Sequence, residues 1–175
     1  GGFASSVLGG RGNQAAGDYS TVSGGYINGA NGCFSGIVSG WGNAASGCMS
    51  FVGAGKGNTA DSSANCSVIS GGNANYIQAI ASTIGGGICN NICNNVSGCL
   101  AIGSVVAGGV GNNTTAGTWD LPSCSFTVAP TICNAGEFST IGGGFQNQAV
   151  GFYSAIAGGS CNLVSAARGS IGGGH

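Results

Sequence analysis

A period of 15 residues runs through this chain and constrains its fold more than any other feature. Registers opening at Ser5, Ser20, Ser35, Ser50, Ser67, Ser82, Ser104, Ser139, Ser154 and Gly169 read S-x-V-x-G-G-x-x-N-x-A-x-G-x-Y, at intervals of 15, 15, 15, 17, 15, 22, 35, 15 and 15 residues. Position 3 is always β-branched: Val7, Val22, Ile37, Val52, Ile69, Ile84, Val106, Ile141, Ile156 and Ile171. Position 6 is always glycine, from Gly10 and Gly25 to Gly159 and Gly174. Position 9 is Asn13, Asn28, Asn43, Asn58, Asn75, Asn90, Asn112, Asn147 and Asn162.

A unit this short cannot be a helix pair, and 39 glycines in 175 residues would each cost a helix about 1 kcal/mol. Small and apolar residues alternate at positions 1 and 3 and again at 11 and 13, which is the period of a strand. The glycines at 5 and 6 and the asparagine at 9 supply turn chemistry, since both residue types tolerate positive φ. Each unit therefore reads as strand, turn, strand, turn. The chain is expected to be all-β, a parallel β-solenoid of about 15-residue coils, with equivalent residues about 4.8 Å apart and a rod about 50 Å long.

In that arrangement the Val/Ile column is one apolar ridge. The position 11 column (Ala15, Ala30, Ala45, Ala60, Ile77, Ile92, Ala149, Val164) faces it across a narrow interior. The asparagines either ladder their side-chain amides from coil to coil or simply tolerate a turn, and the two readings are compatible. A thin rod buries little apolar area per residue. Tyr19, Phe34, Met49, Phe138 and Tyr153, at position 15, are too bulky for an Ala/Gly interior and are expected to meet a neighbouring chain, the alternative being that they cover a coil corner.

The domain expectation is one continuous solenoid, residues 1–112 and 139–175, interrupted by an insertion over 113–138 that holds Trp119 and both prolines. The insertion suits a lateral clasp onto a neighbouring chain, or else a contact with a ligand. Because the chain starts and stops within a repeat, it reads as a piece of a longer fibre.

Charge excludes several functions. Three Lys/Arg in a chain of net charge −1 form no basic face for nucleic acid. No apolar run is long enough for a membrane-inserted helix. One histidine and four scattered acids make no triad or carboxylate pair, so no catalytic residue, cofactor or metal site is expected and the chain reads as a non-enzyme. Gly53–Asn58 has the look of a phosphate loop, but no Ser/Thr follows Lys56 and the segment is the fourth repeat. Of nine cysteines, Cys33 and Cys48 are read as small buried hydrophobes or, less favoured, a strained disulfide. Cys124 and Cys133 are a candidate pair within the insertion. Cys89, Cys93 and Cys99 have no zinc-like spacing.

Units such as GNQAAGDYSTVSGG, GNAASGCMSFVGAG and NQAVGFYSAIAGG resemble the head repeats of trimeric autotransporter adhesins, the YadA-like family, over about nine-tenths of the chain. Similar arrays also look like parts of phage tail fibres and giant-virus surface proteins. The resemblance implies a left-handed parallel β-roll, a homotrimer, and exposure on a surface for attachment to a host receptor or glycan. Autotransporter heads usually lack cysteine, so nine cysteines favour a fibre assembled in a reducing cytoplasm. The expected role is thus a structural and adhesive segment of a phage or virus appendage, on the virion surface or another extracellular appendage. The alternatives are a bacterial adhesin head and an ice-binding solenoid, whose flat Thr array is broken here at position 2 by Phe51 and Val68.

Overall fold

A computed structural model describes residues 1–93 and 101–175, and it is a parallel β-solenoid without helices. Positions 2 and 3 of every coil form a ten-stranded parallel sheet running from Ser6–Val7 to Ser170–Ile171. Its register follows the repeat, with Val22 opposite Ile37 and Val52 opposite Ile69. Positions 10 and 11 form a second sheet of six strands from Gln14–Ala15 to Asn91–Ile92, continued after a break by Gln148–Ala149 and Leu163–Val164. A third ladder of single bridges joins position 7 from Arg11 to Ser160. The strands are two residues long because the stretches between the turns are only three or four residues.

The core is two facing files of side chains between the sheets. Val22, Val52, Ile69, Ile84 and Ile141 face Ala30, Ala45, Ala60, Ile77 and Ala149, all fully buried. Buried amides share this interior. Each asparagine at position 9 accepts the backbone N–H of the next asparagine through its Oδ1, at 2.9–3.1 Å. Its Nδ2 donates to the position 5 carbonyl of its own coil and the position 6 carbonyl of the next, as Asn58 does to Ala54 and Gly72. Turn and ladder are therefore one device. The position 6 glycine is required twice over: at Gly72 φ is +95°, and a Cβ there would collide with the carbonyl oxygen of Gly87.

Two further columns are left-handed at every coil. At position 15 (positions 13–15 are counted back from the next opening Ser) Tyr19, Phe34, Met49, Cys66, Ala81, Phe138, Tyr153 and Arg168 have φ between 52° and 58°. Position 8 does the same with Ile27, Ala74, Cys89, Gln146 and Cys161. Left-handed geometry is costly for such residues. What holds it is the N–H, which in each case bonds back to the preceding coil, as Tyr19 N to Phe3 O at 2.8 Å and Ile27 N to Arg11 O at 2.9 Å.

The second sheet breaks where the insertion leaves. Asn113, fully buried and with φ of +56°, sends its own chain away and puts its side chain in the gap. Its Nδ2 donates to Asn91 O at 2.9 Å and its Oδ1 accepts Ala149 N at 3.1 Å, so one amide side chain stands in for a strand. The parallel ladder resumes at Asn134, which bridges to Cys93, and Ala135 is again core.

Candidate functional site

Two long edges and one hairpin present the chemistry of this rod. The edges are the turns at positions 5–8 and 12–15, on opposite sides of the flat coil. The second-turn edge carries the bulky stripe. Tyr19 is stacked on Phe34 at 4.9 Å between ring centroids and Phe138 on Tyr153 at 5.2 Å. Phe34, Met49 and Tyr153 are 62%, 58% and 57% exposed. These residues lie outside the core, as position 15 requires, and among the described residues nothing covers them.

Cys33 and Cys48 are a correction. Both are exposed free thiols, not buried hydrophobes and not a disulfide. They occupy position 14, where the turn points outward: position 13 (Gly17, Gly32, Gly47) and the following Ser point in, and the next two side chains cannot. Cys124 and Cys133 are also separate free thiols. Cys124 sits at the hairpin tip, where its Sγ donates to Leu121 O, and Cys133 at its base beside Thr115, so the antiparallel register holds them at opposite ends. Burial pushes the Cys89 thiol up from its ordinary pKa, while Cys99 lies outside the described residues.

The first-turn edge was legible but unread. Position 7 runs Arg11, Tyr26, Trp41, Lys56 in successive coils. The Arg11 guanidinium stands 5.9 Å from the Tyr26 ring centroid and Lys56 Nζ 4.3 Å from that of Trp41. Four successive unlike residues give no repeat signal, and only the setting of each cation beside an aromatic neighbour marks them.

The insertion folds back on its own rod. Thr118–Asp120 pairs antiparallel with Ser125–Val128, and Thr114–Thr115 with Thr131–Ile132. Trp119 and Phe126 meet edge to face at 5.1 Å and both pack near Phe145 of the rod, at 6.3 Å. Between hairpin and rod lies a cleft of about 150 Å³ lined by Ala74, Tyr76, Cys89, Thr114, Pro130 and Ile132. Burial and the neighbouring Asp61 push the Tyr76 phenol up to about 12, and its hydroxyl donates to Asp61 Oδ2 at 3.1 Å. Burial raises the Asp61 carboxyl, but hydrogen bonds from Ser63 N–H and from the Ser62, Tyr76 and Ser63 hydroxyls outweigh it, leaving the carboxyl below its ordinary value. Hydrogen bonds from the Ser123 side chain and N–H likewise lower Asp120. Asp61 and Asp120 are thus anchored anions rather than proton donors. Among the described residues no three His, Cys, Asp or Glu side chains gather to hold a metal.

The fold and these edges define a class, the parallel β-solenoid rod with single-residue ladders at its corners. No protein-family model matches the chain, and no curated protein does.

Proposed function

We propose that this chain is a non-enzymatic structural and adhesive fibre segment, part of a phage or virus appendage that attaches to a host surface. It acts as a left-handed β-roll assembled as a homotrimer, on the virion surface or another extracellular appendage. The observation that supports this most is the exposed stripe of Phe34, Met49 and Tyr153 along a rod whose own core is only two facing files of side chains. Such a rod stands alone with little buried area per residue, and covering that stripe with further copies supplies what it lacks. The mechanism is mechanical. Main-chain and asparagine ladders run along the axis, so load is carried by hydrogen bonds between coils, while the hairpin offers a lateral projection for contact with a receptor or glycan.

An antibody raised against the 115–133 hairpin tests the role. Immunogold labelling of the native source should decorate filamentous appendages at regular axial positions. Label spread through soluble material, with appendages bare, would overturn the assignment.

A further inference from the structure

Seven formal charges are distributed over this rod in a pattern that neither core nor repeat demands. Three of the four acids lie in the second turn, Asp18 and Glu137 at position 14 and Asp61 at position 12, while Asp120 belongs to the hairpin that packs on Phe145. Two of the three cations, Arg11 and Lys56, sit at position 7 on the first-turn edge, and both are exposed. Among the described residues neither is paired with a carboxylate, and their contacts are the Tyr26 and Trp41 rings.

The coils also match. Only the first and fourth coils carry a charged residue in the first turn, and both carry an acid in the second: Arg11 with Asp18, Lys56 with Asp61. The two coils between them carry no charge on either edge. Coil two presents Tyr26 and Ile27 on one side and Phe34 on the other, and coil three presents Trp41 and Met49, all exposed. Coil by coil, the first-turn edge carries cation, aromatic, aromatic, cation, and the second turn carries Asp18 beside Tyr19, then Phe34, then Met49, then Asp61.

We propose that copies of this chain join edge to edge, parallel and in axial register, the first-turn edge of one against the second-turn edge of the next. Arg11 then meets Asp18, Tyr26 meets Phe34, Trp41 meets the Met49 thioether, and Lys56 meets Asp61. The partner is a second copy because a single chain holds both complementary edges on opposite sides and cannot bring them together itself. Such a joint is heterologous, and it closes only as a ring. Closure at three copies rests on the trimeric reading above. Any axial slip of one coil sets a cation against an apolar residue, so the charges fix register while the aromatic and sulfur contacts supply the apolar burial.

The test uses the whole chain. An equal mixture of ¹⁴N- and ¹⁵N-labelled chains, assembled together and treated with a carbodiimide, should give Lys56–Asp61 crosslinked peptides of mixed isotope. Lys56→Asp and Asp61→Lys should each raise the concentration of half-dissociation, read by analytical ultracentrifugation, at least about tenfold, because three joints lose a rim pair and gain a repulsion. The double variant, which restores opposite charges at every joint, should return to within about threefold of the unaltered chain. A trimer that yields no mixed Lys56–Asp61 crosslink, or a double variant no tighter than either single one, overturns the edge pairing and leaves the trimer standing. An unaltered chain that stays monomeric overturns the trimeric reading and the pairing with it.

Discussion

Replacing Asn58 with leucine isolates what the amide ladder contributes. In the middle of the rod Asn58 is fully buried. Its Nδ2 reaches Asn43 Oδ1, Ala54 O and Gly72 O at 2.9–3.1 Å, and its Oδ1 accepts both the backbone N–H and the Nδ2 of Asn75 at 3.1 Å. Leucine is close in size and makes none of these bonds. Gly72 O keeps the Lys56 N–H, Asn43 Oδ1 keeps the Asn58 N–H, and Asn75 Nδ2 keeps two carbonyls. The buried Asn75 N–H is left with no partner, which costs about 1–3 kcal/mol, and the loss at the half-wet Ala54 carbonyl adds about 1 kcal/mol. The expected loss is therefore about 2–4 kcal/mol. Asn162→Leu is the control. Asn162 donates to Asn147, Gly158 and Gly174, but among the described residues no N–H donates to its Oδ1, so the change orphans no backbone N–H and should cost about 1 kcal/mol or less. Urea denaturation gives the two costs. Hydrogen exchange at the Asn75 amide shows where the loss falls, which matters because linear repeats open piecewise. Equal costs at the two sites, or unchanged protection at Asn75, would refute the ladder reasoning.

Three further outcomes follow from neighbouring columns. Gly72→Ala should be strongly destabilising because a Cβ there meets Gly87 O, whereas Gly57→Ala, with φ of +63° and open space around it, should cost only the left-handed backbone term of about 1–2 kcal/mol; equal denaturation midpoints would contradict this. Ser35→Ala should be neutral or slightly stabilising, since Ser35 Oγ is buried with no partner, while Ser67→Ala loses bonds to Ala79 O and Ser82 N and should cost about 1–3 kcal/mol in thermal or urea unfolding. Tyr76 binds its proton more tightly folded than unfolded, so its contribution to stability is complete below pH 10 and disappears as pH rises from 10 to about 12. An absorbance titration should keep a late phenolate step near pH 12 that Tyr76→Phe removes, and a titration unchanged by that substitution would contradict the Asp61 contact.

How much of this was legible in the sequence follows from what each position demands. Position 6 demands both a left-handed φ and the absence of a Cβ, so every coil shows glycine and the column reads at once. Position 15 demands only the left-handed φ, which a returning N–H from the preceding coil supplies for Tyr19, Cys66, Ala81 and Arg168 alike, so its geometry leaves no trace in residue type. Cys33 and Cys48 misled because a small apolar residue suits an interior, whereas their place after the position 13 glycine turns them outward. Asn113 stands one residue beyond the ladder asparagine Asn112 and looks like a loop residue. Its role as a side-chain substitute for a strand exists only because the insertion removes the chain it replaces. The position 7 edge failed for the opposite reason, since its meaning lies in the succession of unlike residues along the axis.

The solution mass of the chain, measured by light scattering with and without reductant, tests the central claim most directly. A trimer of about 50 kDa, three copies of the 16.6 kDa chain, unchanged by reductant, is the predicted result, since the proposed joint is built from charge pairs and apolar contacts and Cys33 and Cys48 are free thiols. A stable 16.6 kDa monomer across the accessible concentration range would contradict the account. It would mean that a core of two facing files, with its amide ladder, suffices for a rod on its own.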